Sequence, residues 1–162
     1  MSPRSILTCL LALMLLLCAS SALAQMPNPY GAPISLENAK KAAAAAIAEA
    51  RKINVLEVVA ITDPAGDLVY LEKPDGTQTG SVNVAIAKAR SAALYKRPTK
   101  VWQDIVAGGG AGLRILGLER AVPIEGGIPL VVDGKIVGAI GLSGGTTAQD
   151  EQCAKAGADV LK

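Results

Sequence analysis

Read from its first mature-looking positions, the chain alternates between apolar patterns of two periods. Leu36, Ala39, Ala43, Ile47 and Ala50 recur at helical spacing, and Ser35 stands where an N-cap belongs. Glu37, Lys40, Lys41, Arg51 and Lys52 fall mainly off that stripe, so the spacing predicts a helix over 35–53. "VLEVVAITD" (55–63) is almost wholly apolar and β-branched and predicts a buried strand. "DPAGD" supplies a turn, with Pro64 preset and Gly66 free to take positive φ, and "LVYLEK" (68–73) pairs back as a hairpin. "PDGTQTG" (74–80) is a loop. Val82, Ala85, Ile86, Ala89 and Ala93 mark a second helix over 81–96, which Pro98 ends.

The pattern then fades. "TKVWQDIV" suits a short helix, "AGGGAG" (107–112) breaks it, and "LRILGLER" suits either a strand or a further helical turn. It sharpens again at "IPLVVDGKIVGAIGLSG", where Asp133-Gly134 between two apolar runs is a strong hairpin cue. Thr146 followed by Gln149 matches a capping box, and Asp150 and Glu151 suit the first turn of a last helix reaching about Leu161. Two tight hairpins imply a mainly antiparallel sheet with helices covering it. No internal repeat and no second domain are visible.

The N-terminus reads differently. Arg4 precedes an apolar run from Ile6 to Cys18, and Ala22-Leu23-Ala24 forms an A-x-A pattern before Gln25. Residues 1–24 are therefore expected to be a secretory signal peptide cleaved after Ala24, placing the mature protein in the periplasm or outside the cell. The apolar run is short for a membrane span, so no integral span is expected after processing. Cys18 raises a lipoprotein alternative, but Leu17 stands before it where a small residue is usual. "QMPNPYGAP" leaves an extended arm (25–34), and the domain follows over 35–162.

Processing also removes Cys9 and Cys18 and leaves only Cys153, so an intramolecular disulfide is excluded. The chain carries no histidine and no Phe, one Trp and three Tyr. That excludes His-based triads and His metal ligands, and a lone cysteine excludes a thiolate zinc site. A net charge of +2 with scattered basic residues excludes a nucleic-acid footprint. No P-loop is present, and "GGGAG" lacks the strand-then-helix context of a dinucleotide site.

What remains is glycine and a few charges. Glu125-Gly126-Gly127 opens one strand of the second hairpin and Ser143-Gly144-Gly145 closes its mate, with the Asp-Gly turn at the opposite end. The two glycine pairs must lie together, beside the start of the last helix. Bare N–H groups next to a helix N-terminus suit a carboxylate, while close helix–sheet packing needs glycine equally. Lys73, Asp75 and Lys88 are candidates to gather at this end with Asp150, although solvated charge accounts for each as well. The candidate ligand-binding set is thus Lys73, Asp75, Lys88, Glu125, Gly126, Gly127, Ser143, Gly144, Gly145 and Asp150, with no catalytic residue assigned and the metal ligands left open.

"VVAITDPAGDLVYLEKPDG", "AIAKARSAA" and "GGIPLVVDGKIVGAIGLSGGTTAQDEQCAKAG", in this order, resemble the GlcG/HbpS-like haem-binding, or haem-degrading, domain family. That family includes the C-terminal domain of PduO-type cobalamin adenosyltransferases. The resemblance implies an α/β (α+β) fold: a profilin-like three-layer α/β/α architecture with a five-stranded antiparallel sheet, the faint middle adding a strand. It implies a homo-oligomer that binds haem or another tetrapyrrole, or iron, without strong catalytic activity. Lys73 stands where an arginine is common, and the lack of histidine removes His ligation of haem iron. Tyr70, Tyr95, Lys88, Thr99, Cys153 and water remain as axial candidates. Two other readings stand beside this one. The first is an enzyme or accessory factor for a small hydroxy acid such as glycolate, working through Asp63, Asp75, Asp150 or Lys88. The second is a structural or sensory assembly partner.

Overall fold

A computed structural model of the chain describes residues 28–162; the expected leader, its cleavage point and the first residues of the arm lie outside the described residues. The arm from Pro29 onward is extended and pinned to the sheet. Gly31 N–H donates to Ile136 O, Ile136 N–H donates to Pro29 O, and Ile34 N–H donates to Val137 O. Ile34 is buried, and the Tyr30 hydroxyl donates to Ala93 O at 2.8 Å.

Helix α1 (Leu36–Lys52) starts where the Ser35 side chain accepts from Asn38 N–H. Strands β1 (Val58–Thr62) and β2 (Leu68–Glu72) form the first hairpin. Gly66 adopts φ +83° in its turn, and Asp63 Oδ1 accepts from Asp67 N–H. Helix α2 (Ser81–Tyr95) follows, then α3 (Thr99–Ala107) and a 3-10 helix (Gly110–Gly117). Strands β3 (Gly127–Val132) and β4 (Lys135–Ser143) are joined through Asp133 and Gly134, both at positive φ as the hairpin cue requires. Helix α4 (Thr147–Asp159) closes the chain behind a full Thr146–Gln149 capping box.

The strands run β2-β1-β4-β3, every neighbour antiparallel. Alternation sends Val59, Ile61, Ile140 and Leu142 to one face, where α1 and α4 cover them with Ala39, Ala43, Ile47, Cys153 and Ala154. Val58 and Ala60 point to the other face, against Ala85 and Ala89 of α2. Small side chains let helix backbone lie almost on the strands. Gly141 of β4 is the clearest case, because a Cβ there would collide with Ala85 O and the Ala89 backbone.

The expected five-stranded, profilin-like α/β/α sandwich does not form. The fold is α+β, with an open sheet of four strands. The middle segment adds no strand because it is helical, as α3 packed on the 3-10 helix. Gly109 and Gly110 take left-handed backbone between them, which no strand would continue through. The sheet ends at β3, whose Pro129 suits an edge. The one further pairing among the described residues is a single parallel bridge between Tyr30 and Ile136. Among the described residues, no helix is long and apolar enough to cross a membrane.

Candidate functional site

At the sheet end where β1 and β3 begin and β4 finishes, three ionisable side chains are buried together. Lys88 reaches from α2 to the last residues of β4. Its Nζ donates to Asp150 Oδ2 at 2.5 Å and to Leu142 O at 2.9 Å, and both charged side chains are almost wholly shielded from water. Gly145 N–H donates to Asp150 Oδ1 at 3.1 Å, so the carboxylate is held by an ammonium and by backbone. Asp150 also lies in the first turn of α4, where negative charge suits the helix dipole.

Glu57, just before β1, is the third member. It is fully buried, and neither carboxyl oxygen has a hydrogen-bond partner. Burial, then the adjacent Asp150 charge, pushes its carboxyl up to about 8; Lys88 and the Gly145 N–H pull the other way without prevailing. The Gly145 N–H is close enough to act on Glu57, but its hydrogen bond goes to Asp150. With Glu57 protonated, the trio carries no net charge. Cys153 sits in the same interior, and burial, with Glu57 nearby, pushes its thiol up to about 12.

The structure brings Lys88, Asp150, Glu125, Gly126, Gly127, Ser143, Gly144 and Gly145 to this end. Lys73 and Asp75 are exposed and follow β2, two strands from β4, and neither is a hydrogen-bond or ion-pair partner of Lys88 or Asp150. The room that the four glycines clear is occupied by the chain itself. A Cβ at Gly126 would lie 2.7 Å from Asp150 Cβ, and one at Gly127 would lie 2.5 Å from Lys88 O. A Cβ at Gly144 would collide with Leu56 O, and one at Gly145 would lie 2.9 Å from Gln149 Oε1. Gly127 N–H is spent on Thr99 Oγ1 at 2.9 Å. Glu125 turns to α3, its N–H donating to Gln103 Oε1, and the Ser143 hydroxyl donates to Ser81 Oγ.

Open space lies instead along the outer edge of β3, as a cleft of about 530 Å³. Ile128, Pro129 and Val131 of β3, Ile136 of β4 and Ala158 of α4 give it an apolar floor. Lys96, Lys155 and Lys162 line its rim with Glu151 and Asp159, and Asn28 and Pro98 complete the wall. The four-residue spacing of Glu151, Lys155 and Asp159 puts them on one face of α4. Lys162 Nζ pairs with Asp159 at 2.5 Å, and Lys96 lies 4.1 Å from the Tyr30 ring centroid. Glu151 ties the cleft to the buried trio, since its Oε2 accepts from Gly126 N–H at 3.0 Å. Burial pushes the Glu151 carboxyl above its ordinary value, against the pull of that hydrogen bond.

None of the protein groups weighed as iron ligands lines this cleft. Lys88 is committed to Asp150, and buried Thr99 accepts from Gly127 N–H. The Tyr95 hydroxyl donates to Glu119 O at 2.7 Å, and that of Tyr70 to Glu72 at 2.9 Å. Cys153 is buried as a neutral thiol. Among the described residues, no group of three or more His, Cys, Asp and Glu is placed to hold a metal ion.

Sequence reasoning passed over Glu57, reading it as one more position of a buried strand. The signal was present: a lone acid within an otherwise apolar β-branched run must be either an edge residue or a buried, perturbed one. The cleft gave no such cue, because two of its lysines lie on or just after α4 while its floor belongs mostly to a separate hairpin.

The model for the haem-degrading HbpS-like family matches residues 34–159. Protein GlcG of Escherichia coli K12 is 40% identical over 110 residues, which cover 68% of this chain and 81% of GlcG. Among solved structures, a double mutant of HbpS from Streptomyces reticuli superposes with a TM-score of 0.74 at 30% identity, covering 87% of this chain and 95% of that one. A PduOC–haem complex superposes with a TM-score of 0.72 at 28% identity, covering 80% of this chain and 96% of that one.

Proposed function

The chain belongs to the HbpS-like family, and from that premise we propose that it is an exported, oligomeric protein that binds haem or a related tetrapyrrole without strong catalysis of its own. The observation that carries the reading is the make-up of the β3 cleft. A tetrapyrrole such as haem is a flat apolar disc with carboxylates on one edge. The cleft offers an apolar floor with a mixed rim in which Lys96, Lys155 and Lys162 outnumber Glu151 and Asp159, and about 530 Å³ lies within the ~300–1,000 Å³ usual for small-molecule sites. The solved haem complex of a relative, PduOC, supports the ligand class. The fit is to the macrocycle and its carboxylates. The residues present do not supply a ready iron ligand.

Export rests on the leader pattern of residues 1–24, and N-terminal sequencing of protein recovered outside the cytoplasm should begin at Gln25. Self-association is supported by exposed apolar side chains on α3, the 3-10 helix and the segment after it: Val101, Ile105, Leu113, Leu116, Leu118 and Ile124. Light scattering should show an oligomer, and Leu113→Glu with Leu116→Glu should reduce it to monomer.

Ligand binding is tested by titrating hemin into the purified protein. A saturable Soret shift that Val131→Glu weakens, with the Soret band then stable over hours, supports the reading. A spectrum no different from hemin with an unrelated protein refutes it. Progressive bleaching with turnover would make the protein an enzyme instead.

A further inference from the structure

We infer that the cleft recognises its ligand by the macrocycle's flat apolar face and rim carboxylates, not by the metal at its centre, so that metal-free and metal-bearing porphyrins are taken alike. This mode of recognition deepens the tetrapyrrole reading and rests on it.

Three observations carry it. First, the strongest protein donors for iron are absent or spent. The chain has no histidine, Cys153 is buried, and Lys88 and Thr99 are buried in internal hydrogen bonds. Second, the side chains that do line the cleft make poor metal ligands as they stand. The Lys96, Lys155 and Lys162 ammonium groups have no lone pair to give. Glu151 is engaged by Gly126 N–H, and Asp159 by Lys162. Third, those same lysines suit the other end of the ligand. An ammonium facing a carboxylate forms a charge-assisted hydrogen bond; Lys155 is exposed beside the apolar floor outside the ion pairs of the described residues, and Lys162, which gives one N–H to Asp159, keeps its other donors for a second acceptor. The binding energy therefore has two sources, apolar contact over the floor and charge at the rim, and neither senses the metal.

The test titrates four probes into the full processed protein: protoporphyrin IX, its zinc and ferric forms, and its dimethyl ester, which lacks the carboxylates. Porphyrin fluorescence and Soret absorbance report binding. The first three should bind within about threefold of one another, and the ester about tenfold more weakly, the size of one lost charge-assisted contact. Lys155→Ala with Lys162→Ala should weaken the three acids about tenfold and leave the ester unchanged, circular dichroism confirming the fold. Glu151→Gln should leave the ferric-to-free-base ratio where it was. A ferric form that binds at least tenfold more tightly than the free base, or an ester that binds as well as the acid, overturns the inference while leaving the tetrapyrrole reading intact. Failure of all four probes to bind overturns both.

Discussion

Replacing Glu57 with glutamine tests the buried trio through its dependence on pH. In the folded protein the Glu57 carboxyl holds its proton up to about pH 8, against 4.5 for a free side chain. Between those values the folded state binds one proton more than the unfolded state. Stability is therefore full below pH 4.5, falls as pH rises, and levels off above about pH 8. At ~1.4 kcal/mol per pH unit, the loss across the window is on the order of 5 kcal/mol, a large share of a small domain's stability. The amide of the Glu57→Gln variant would keep the shape and stay neutral, so the part of the slope that Glu57 supplies should vanish, leaving that of the Glu151 carboxyl, which burial also raises. Urea denaturation at about pH 5, 6.5 and 8 measures it, stopping short of the range where Cys153 begins to contribute. The two proteins should differ little at the acid end, and the variant should be the more stable by several kcal/mol at the alkaline end. Parallel curves for the two proteins would refute the claim that Glu57 is protonated in the fold.

Three other outcomes follow from the packing. Gly141→Ala should lower Tm by about 5 °C or more in a thermal melt, since the new methyl meets the α2 backbone and overpacking costs ~1–3 kcal/mol. Lys88→Met should cost ~3–5 kcal/mol by urea denaturation because it strands the buried Asp150 carboxylate, and adding Asp150→Leu should recover part of that loss. Cys153 should resist iodoacetamide in the native protein near neutral pH. A thiol at about 12 rather than 9 has roughly a thousandfold less thiolate, so rapid native labelling would contradict its burial.

Local chemistry made much of the fold legible. Ser35 caps α1, Thr146 and Gln149 box the start of α4, and the Asp133-Gly134 dipeptide turns the second hairpin as its φ preferences dictate. Each of these is decided within about four residues of itself. Residues 99–120 were the least legible: "TKVWQDIV" suits a short helix and forms α3, but glycines 108–110 carry no preference and "LRILGLER" suits a strand as well as a helix. There the tertiary packing of the 3-10 helix on α3 decided, and the fifth strand was lost. The candidate site divided in the same way. Lys88, Asp150 and the glycine pairs could be placed at one sheet end from hairpin geometry alone. That they would fill it themselves depends on a contact across 62 residues, which no local pattern reports. Lys73 and Asp75 share that end of the sheet but stand off to one side, because β1 lies between β2 and β4. The cleft depends on where α4 crosses the edge of β3, a matter of packing alone.

The central claim, that a tetrapyrrole lies along the edge of β3, is tested most directly by amide chemical-shift mapping with protoporphyrin IX. Saturable shifts are expected at Ile128, Val131, Ile136, Lys155 and Ala158, with Gly144 and Leu116 unmoved. Shifts confined to the glycine end of the sheet, or to the apolar surface around Leu116, would contradict it.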